Sequence, residues 1–454
     1  NIFIAAVLLA FTIFNIFISG ALPGEYVLAE EGEGSETVSV EVMPYLPEIP
    51  ELPEEYEVIE AYKTSWPDGL FYNIQYDKYD VFPNYVVNIS STRRKIYEEP
   101  DTSSEYYGKL SYGAKLQVTA LIQDADENQW YAVVYEYEDE IVLGYIKKDD
   151  VAKREFQLEK MSKYLQNVTG FQQLGHIVYV QNYRYENGYP PRMPNGSYYD
   201  DFGYRRGQSI GGYYDSKMDG GFRYIPDGTL GIVEEVIEQT STADDIIVIN
   251  EKGIFTSADE EKNSDEDAIG EYNNGTEVVA VKLYIPSFGT SLWVEEKYIN
   301  EDKDAPDVLN QAIIVDRLNQ NIAVFEYDEV WKVISINYSS TGKVGEYSLP
   351  TPLGYYMAIE KKPKFDYVED GTTTIVGFAP YAIRFSAGGY LHGVPMNYDF
   401  DSSGRKVSPD YYVEYLSSIG TVPKSHMCVR NYTSHAKFMY DWVDIGNCTV
   451  IVIE

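Results

Sequence analysis

Apolar and polar positions divide this chain into unlike stretches. Ile2 to Ile18 is almost continuously apolar, broken only by Thr12 and Asn15. Short alternating runs follow around Arg94–Tyr97, Lys115–Ala120, Trp130–Tyr135 and Ile141–Ile146. Turn residues separate them at 98–101, 112–113 and 124–128. A second set occupies 253–256, 274–281 and 292–299. Period-two alternation over four to eight residues, bounded by turns, predicts short strands. Near the C-terminus Ala436, Met439 and Val443 fall at helical spacing, with Ser434 as the expected cap and Gly446 as the stop. The run Cys448–Ile453 then predicts a closing strand whose cysteine belongs to the core. The expected fold class is mostly β, with one short helix late in the chain.

The first apolar segment is, at about 1.5 Å per residue, short for a membrane span and suits the core of an export signal. Val27-Leu28-Ala29 offers small residues at a cleavage site. Residues 1–29 therefore read as a signal peptide or a membrane anchor, and the workplace as extracellular. From Glu25 to Glu60 there are 12 Glu and no Lys or Arg, with Pro44, Pro47, Pro50 and Pro53 at every third residue. That is the polyproline II period, and like charges extend the chain further. Residues 30–65 read as a stiff acidic linker, with a partner-binding peptide as the alternative.

Charge narrows the function classes. The 454 residues carry 36 Lys+Arg against 72 Asp+Glu, a net of −36, which excludes nucleic-acid binding by phosphate neutralisation. Residues 311–454 hold 12 basic and 16 acidic residues, a net of −4, so the remainder carries −32. The last third is physically a different object. Two cysteines, Cys428 and Cys448, exclude a disulfide-dense scaffold and a cysteine-rich zinc site. Tyrosine is dense at 44 residues, and Tyr179 to Tyr224 alone holds ten Tyr and eight Gly with five Arg. This stretch, 152–244, reads as an insert: a surface for sugar faces and carboxylates, or an elaborate loop packed on its neighbours.

Candidate chemistry gathers at the C-terminal end. Three of four histidines, His392, His426 and His435, lie in the last 63 residues with both cysteines. In Ser425-His426-Met427-Cys428-Val429-Arg430-Asn431 the thiol has electropositive neighbours. A cysteine, a base for its proton and a group to orient the base are the parts of thiol acyl transfer. A His/Cys zinc site and a merely structural Cys428 are the rivals; no tight ligand spacing supports the metal.

Two family resemblances enter here. Residues 84–151 and 245–300 resemble bacterial SH3-like modules, with Gly144-Tyr145-Ile146 and Trp293-Val294 in the closing strand. That resemblance implies small β-barrels that hold cell-wall polymer; a passive spacer is the alternative. Residues 311–454 resemble the L,D-transpeptidases with a YkuD-type catalytic domain. The likeness rests on five elements in order. They are an opening hairpin (Ala312–Arg317 and Gln320–Phe325), Ser339-Ser-Thr-Gly-Lys343, Leu349–Tyr356, Leu391-His392-Gly393, and Ser425–Arg430.

This resemblance implies a β-sandwich and an enzyme that forms 3→3 cross-links between peptidoglycan stem peptides. Cys428 would attack a tetrapeptide stem and form a thioester. His392, held by the backbone at Gly393, would take the thiol proton, with His426 beside them. N–H groups of Met427 and Cys428 would form the oxyanion hole, and Ser425, Arg430, Gly393, Met427 and Asn431 would line the substrate site. No metal or organic cofactor is implied. An L,D-carboxypeptidase and an inactive wall-binding protein are the alternatives. Two departures stand out. Met427 occupies a position that is Gly in the family, strained if φ there is positive. And 32 residues separate His392 from Ser425, room for a lid or a surface elaboration around 399–416.

Overall fold

The computed structural model describes residues 49–65, 81–182, 188–201, 203–218, 220–240, 247–250, 253–255, 270–272, 277–300, 309–346, 348–398, 401–403 and 419–454. The apolar segment, most of the acidic linker and most of 399–416 lie outside these residues. Among the described residues no helix is long and apolar enough to cross a membrane. The fold is mostly β, built from three larger sheets and one small one, with two α-helices among the described residues.

The N-terminal sheet takes the strands Arg94–Tyr97, Lys115–Gln123, Gln129–Tyr137 and Glu140–Lys147 where the alternation put them. It is wider than expected at both ends. Glu57–Ala61, at the end of the expected linker, pairs antiparallel with Lys115–Gln123. All five of its residues are exposed, so backbone pairing holds it and burial left no alternation to read. Ala152–Glu155 likewise pairs with Asn84–Val87, beyond the expected limit at 151.

The middle sheet spans the expected division at 244/245. Leu230–Thr240 pairs with Glu277–Ile285 along eight residue pairs. Ser209–Tyr213 joins Thr290–Glu295 through Tyr213 and Trp293. The Tyr/Gly-rich stretch and the second expected module thus share one sheet. Its glycines are packing devices: a Cβ on Gly212 would fall 2.4 Å from Ile225 Cδ1. Ile247–Asn250, Gly253–Phe255 and Gly270–Tyr272 form the separate small sheet.

The helix Leu158–Leu174 was not anticipated, although Met161, Leu165 and Val168 recur at i, i+4 and i+7 and are its buried face. Those three enter a core shared with Ile314, Phe325, Ile336, Tyr355 and Ile451. The helix therefore seats the upstream chain against the last third.

There the sheet runs Gly354–Met357, Cys448–Ile453, Gln311–Asp316, Asn321–Asp328, Val330–Ser340, Val429–Asn431, Gly389–His392, Ile375–Ser386, Glu360–Val368. The long strand Val330–Ser340 serves two halves: its body pairs with Asn321–Asp328, its last two residues with Asn431 and Arg430. Ile313, Val315, Ile322 and Val324 from one half meet Ile383, Phe385, Leu391 and Val429 from the other, over Met439 and Val443. The helix Thr433–Trp442 stands where expected, but Tyr432 is its N-cap and no side chain caps it. Ser434 lies inside the first turn. Gly446 follows in the turn before the closing strand, at φ +83°. Cys448 is fully buried at the head of that strand.

Candidate active site

The site is made where two short strands run side by side. Gly389–His392 pairs parallel with Val429–Asn431, with Leu391 opposite Val429 and His392 opposite Arg430. Side chains alternate along a strand, so the two pairs face opposite sides of the sheet. Leu391 and Val429 enter the core. His392 and Arg430 share the other face, and Cys428 sits two residues before Arg430.

The histidine is fixed before any substrate arrives. His392 is buried, and its Nδ1 is 2.6 Å from Gly393 O. A ring nitrogen facing a carbonyl must carry the proton, which leaves Nε2 as the basic atom. Gly393 N–H donates to Pro380 O at 2.8 Å. The Phe365 ring stands edge-on to the imidazole at 5.4 Å and stacks on Tyr390 at 4.7 Å. Burial, with a smaller contribution from Arg430, drives the His392 pKa down to about 3. The ring is neutral at neutral pH.

Cys428 is half-buried, and its Sγ donates to Gly388 O at 3.5 Å. Desolvation pushes the thiol up to about 11, against the opposing pull of Tyr390 N–H and Arg430. At rest the thiol and the imidazole are thus both neutral, not a preformed thiolate and imidazolium. A thiol in that state needs a base at the moment of attack.

The loop before Cys428 is held from below. Lys424 and Ser425 N–H both donate to Thr341 O, at 2.8 and 3.0 Å. Thr351 Oγ1 donates to Met427 O and accepts from Gly342 N–H, both at 2.8 Å. Gly342 has no room for a side chain, since a Cβ there would lie 2.7 Å from Met427 Cα. The Ser-Thr-Gly and Thr-Pro segments are therefore the cradle of the Cys428 loop.

Residues 310–452 match the family model of YkuD, the L,D-transpeptidase catalytic domain. They form a YkuD domain. No curated protein matches the chain. Similar solved structures include an L,D-transpeptidase from Mycobacterium smegmatis, at 15% identity and TM-score 0.25, covering 49% of this chain and 99% of that one. L,D-transpeptidase 3 from Mycobacterium tuberculosis, with a faropenem-derived adduct, aligns at 16% identity and TM-score 0.24 over 48% and 81%. An L,D-transpeptidase from Stackebrandtia nassauensis aligns at 20% identity and TM-score 0.22 over 34% and 58%.

Within the YkuD domain the expected site residues separate into two groups. His392 lies opposite Arg430 and is held by Gly393 O, while the Cys428 thiol, one residue before the paired strand, meets Gly388 O. Ser425 and Asn431 are buried and hold backbone instead. Ser425 Oγ donates to Cys428 O, and Asn431 Nδ2 to Val429 O at 3.1 Å. His426 is exposed, its Nε2 2.6 Å from Asp370 Oδ1 in the turn between Glu360–Val368 and Ile375–Ser386. Its imidazole thus meets the hairpin tip rather than the thiol or His392. Met427 N–H lies 3.4 Å from Ser425 Oγ. Met427 itself has φ +149°, in the region that favours glycine, and its side chain is buried against Gly389. His435 is buried in the helix, with Nε2 2.9 Å from Ser335 Oγ. Among the described residues no group of three or more His, Cys, Asp or Glu is arranged to hold a metal.

Sequence reasoning missed Gly388, Tyr390, Phe365 and Asp370. The Gly388-Gly389 pair beside a candidate histidine was the available signal. Nothing in the sequence brings Asp370 to His426, 56 residues away.

Proposed function

We propose that this protein is an exported peptidoglycan L,D-transpeptidase that makes 3→3 cross-links through a thioester on Cys428. The observation that carries the reading is the parallel pairing of Gly389–His392 with Val429–Asn431. It supports the reading because the Nδ1-anchored His392 lies opposite Arg430, whose strand begins one residue after Cys428.

His392 Nε2 accepts the Cys428 proton as sulfur attacks the carbonyl carbon before the terminal D-Ala of a tetrapeptide stem. The oxyanion takes the Cys428 N–H and the Met427 N–H, whose bond to Ser425 Oγ is long enough to exchange for it. Such a donor is typically worth about 3 kcal/mol. The C–N bond then breaks, His392 returns its proton to the departing D-Ala amine, and a thioester remains. The side-chain amine of a second stem attacks the thioester, loses its proton to His392 and expels the thiolate. Arg430 is placed to pair with a stem carboxylate. The N-terminal β unit is read as a holder of wall polymer, and the apolar leader as the export signal.

The test is the full chain with disaccharide-tetrapeptide, followed by mass spectrometry, with Cys428→Ala as control. A dimer lacking one D-Ala, absent in the control, supports transpeptidation. Tripeptide without dimer means water is the acceptor and the enzyme is an L,D-carboxypeptidase. No product, with sacculi still bound, leaves a wall-binding protein.

A further inference from the structure

The turn that borders the nucleophile is gripped by a different part of the chain. Asp227 and Gly228 form the bend between Phe222–Pro226 and Leu230–Thr240 of the middle sheet. This bend docks on the YkuD domain behind the Ser386–Gly389 turn. Arg384 Nη1 is 2.8 Å from Asp227 Oδ2, and both side chains are 3% exposed or less. Arg384 Nε also reaches Glu360 at 3.0 Å. The same Asp227 carboxylate accepts the backbone N–H of Ala387. Gly228, at φ +84°, lies so close that a Cβ would fall 1.9 Å from Phe385 O. Gly228 O accepts Met357 N–H at 3.0 Å, and Thr229 bridges Tyr356.

What this bend holds is a turn in an unfavourable conformation. Ala387 has φ +27°, in the left-handed region where a side chain is strained. The next residue, Gly388, accepts the Cys428 thiol, and two further on Tyr390 N–H faces the sulfur. The line of contacts is continuous: Asp227 to Arg384 and Ala387, then Gly388 and Tyr390, then Cys428 Sγ.

We propose that Asp227 is a positioning residue for Cys428, acting from outside the catalytic domain by fixing the Ser386–Gly389 turn. The YkuD sequence alone would then give an incomplete site. This rests on Cys428 being the reacting thiol of the proposed function. A buried carboxylate–guanidinium pair is weak evidence of a stability role, since desolvation offsets much of the attraction. A pair that also pins a strained turn beside a nucleophile has a reason to be ionic.

The experiment uses the full chain, wild type against Asp227→Asn. Ser287→Ala is the control, because Ser287 Oγ accepts Tyr355 N–H at 2.9 Å across the same interface, away from the turn. Three quantities are read: kcat and KM of acyl transfer, the pH profile of Cys428 alkylation by peptide mass spectrometry, and the melting temperature. Asp227→Asn keeps the shape of the side chain but removes its charge. The expected result is kcat down about 10- to 100-fold with KM within about twofold, and the alkylation midpoint moved by about half a pH unit or more. Ser287→Ala should lower the melt and leave kcat and the profile alone. If Asp227→Asn does not fold, Asp227→Asn/Arg384→Gln, which leaves no unpaired buried charge, takes its place with the same readouts. A folded variant with wild-type kcat and wild-type profile overturns the proposal, whatever its melting temperature. If wild type transfers no acyl group, the proposed function fails, and the alkylation profile alone still decides the role of Asp227.

Discussion

Met427 offers a test in which two substitutions differ by one methyl group. Its backbone is set by the loop, not by its side chain: Thr351 holds its carbonyl, and Gly342 packs against its Cα. At φ +149° a non-glycine residue costs about 1–3 kcal/mol. Its buried side chain, 5% exposed, recovers that through packing. Met427→Ala removes the packing, at about 2–5 kcal/mol, and keeps the strain. Met427→Gly removes the same packing and relieves the strain, less about 0.5–1 kcal/mol for glycine's greater unfolded freedom. The glycine variant should therefore be the more stable by about 0.5–2 kcal/mol, the reverse of the usual order. At about 2–4 °C per kcal/mol for a unit of 150–250 residues, this is a separation of a few degrees in thermal melts of the full chain. Both variants should melt below wild type. An alanine variant that melts with or above the glycine variant would refute the strain argument.

Other expectations follow from the same geometry. Cys428 alkylation should be slow at pH 7 and rise about tenfold per pH unit towards pH 10, because the thiol is pushed up to about 11 and His392 is neutral; a plateau from pH 5 upward would indicate a resting ion pair. His392 and His435 are both driven down to about 3 by burial, so the unfolded chain binds more protons between about pH 3 and 6.5. Their contribution is whole above pH 6.5 and is lost as pH falls, about 2 kcal/mol for each histidine by pH 5, readable in urea melts at pH 7 and 5. His435→Gln should remove roughly half of that loss. Gly342→Ala should cut acyl transfer by about 100-fold or more, since the new Cβ must displace the nucleophile loop, and a displacement near 1 Å costs that much.

How much of this was legible depends on where each signal lies. The local contacts of the Cys428 loop and of His392 lie within short motifs that the sequence displays, Ser339–Lys343, Leu349–Tyr356, Leu391–Gly393 and Ser425–Arg430. Ser425 and Asn431 were read as substrate contacts, yet their polar groups serve the backbone; a motif gives residue types but not which way a side chain turns. The helix Leu158–Leu174 had its 3.6-residue pattern, overshadowed by the Tyr and Gly content of the stretch that follows it. Glu57–Ala61 carried no pattern, because an edge strand held by backbone bonds alone leaves its side chains in water. The middle sheet was divided at 244/245 because strand pairing between Leu230–Thr240 and Glu277–Ile285 spans an intervening segment that local alternation does not cross. Asp227 was invisible for the same reason: its partner Arg384 is 157 residues away.

The most direct measurement is of the covalent step itself. The full chain would be mixed with a tetrapeptide donor lacking an acceptor amine, quenched in acid, digested and mapped by mass spectrometry. The account predicts an acyl group, with D-Ala lost, on the peptide carrying Cys428. It also predicts that His392→Gln slows its appearance by about 100-fold or more. An acyl group on another residue, or Cys428 acylated at the wild-type rate without His392, would contradict it.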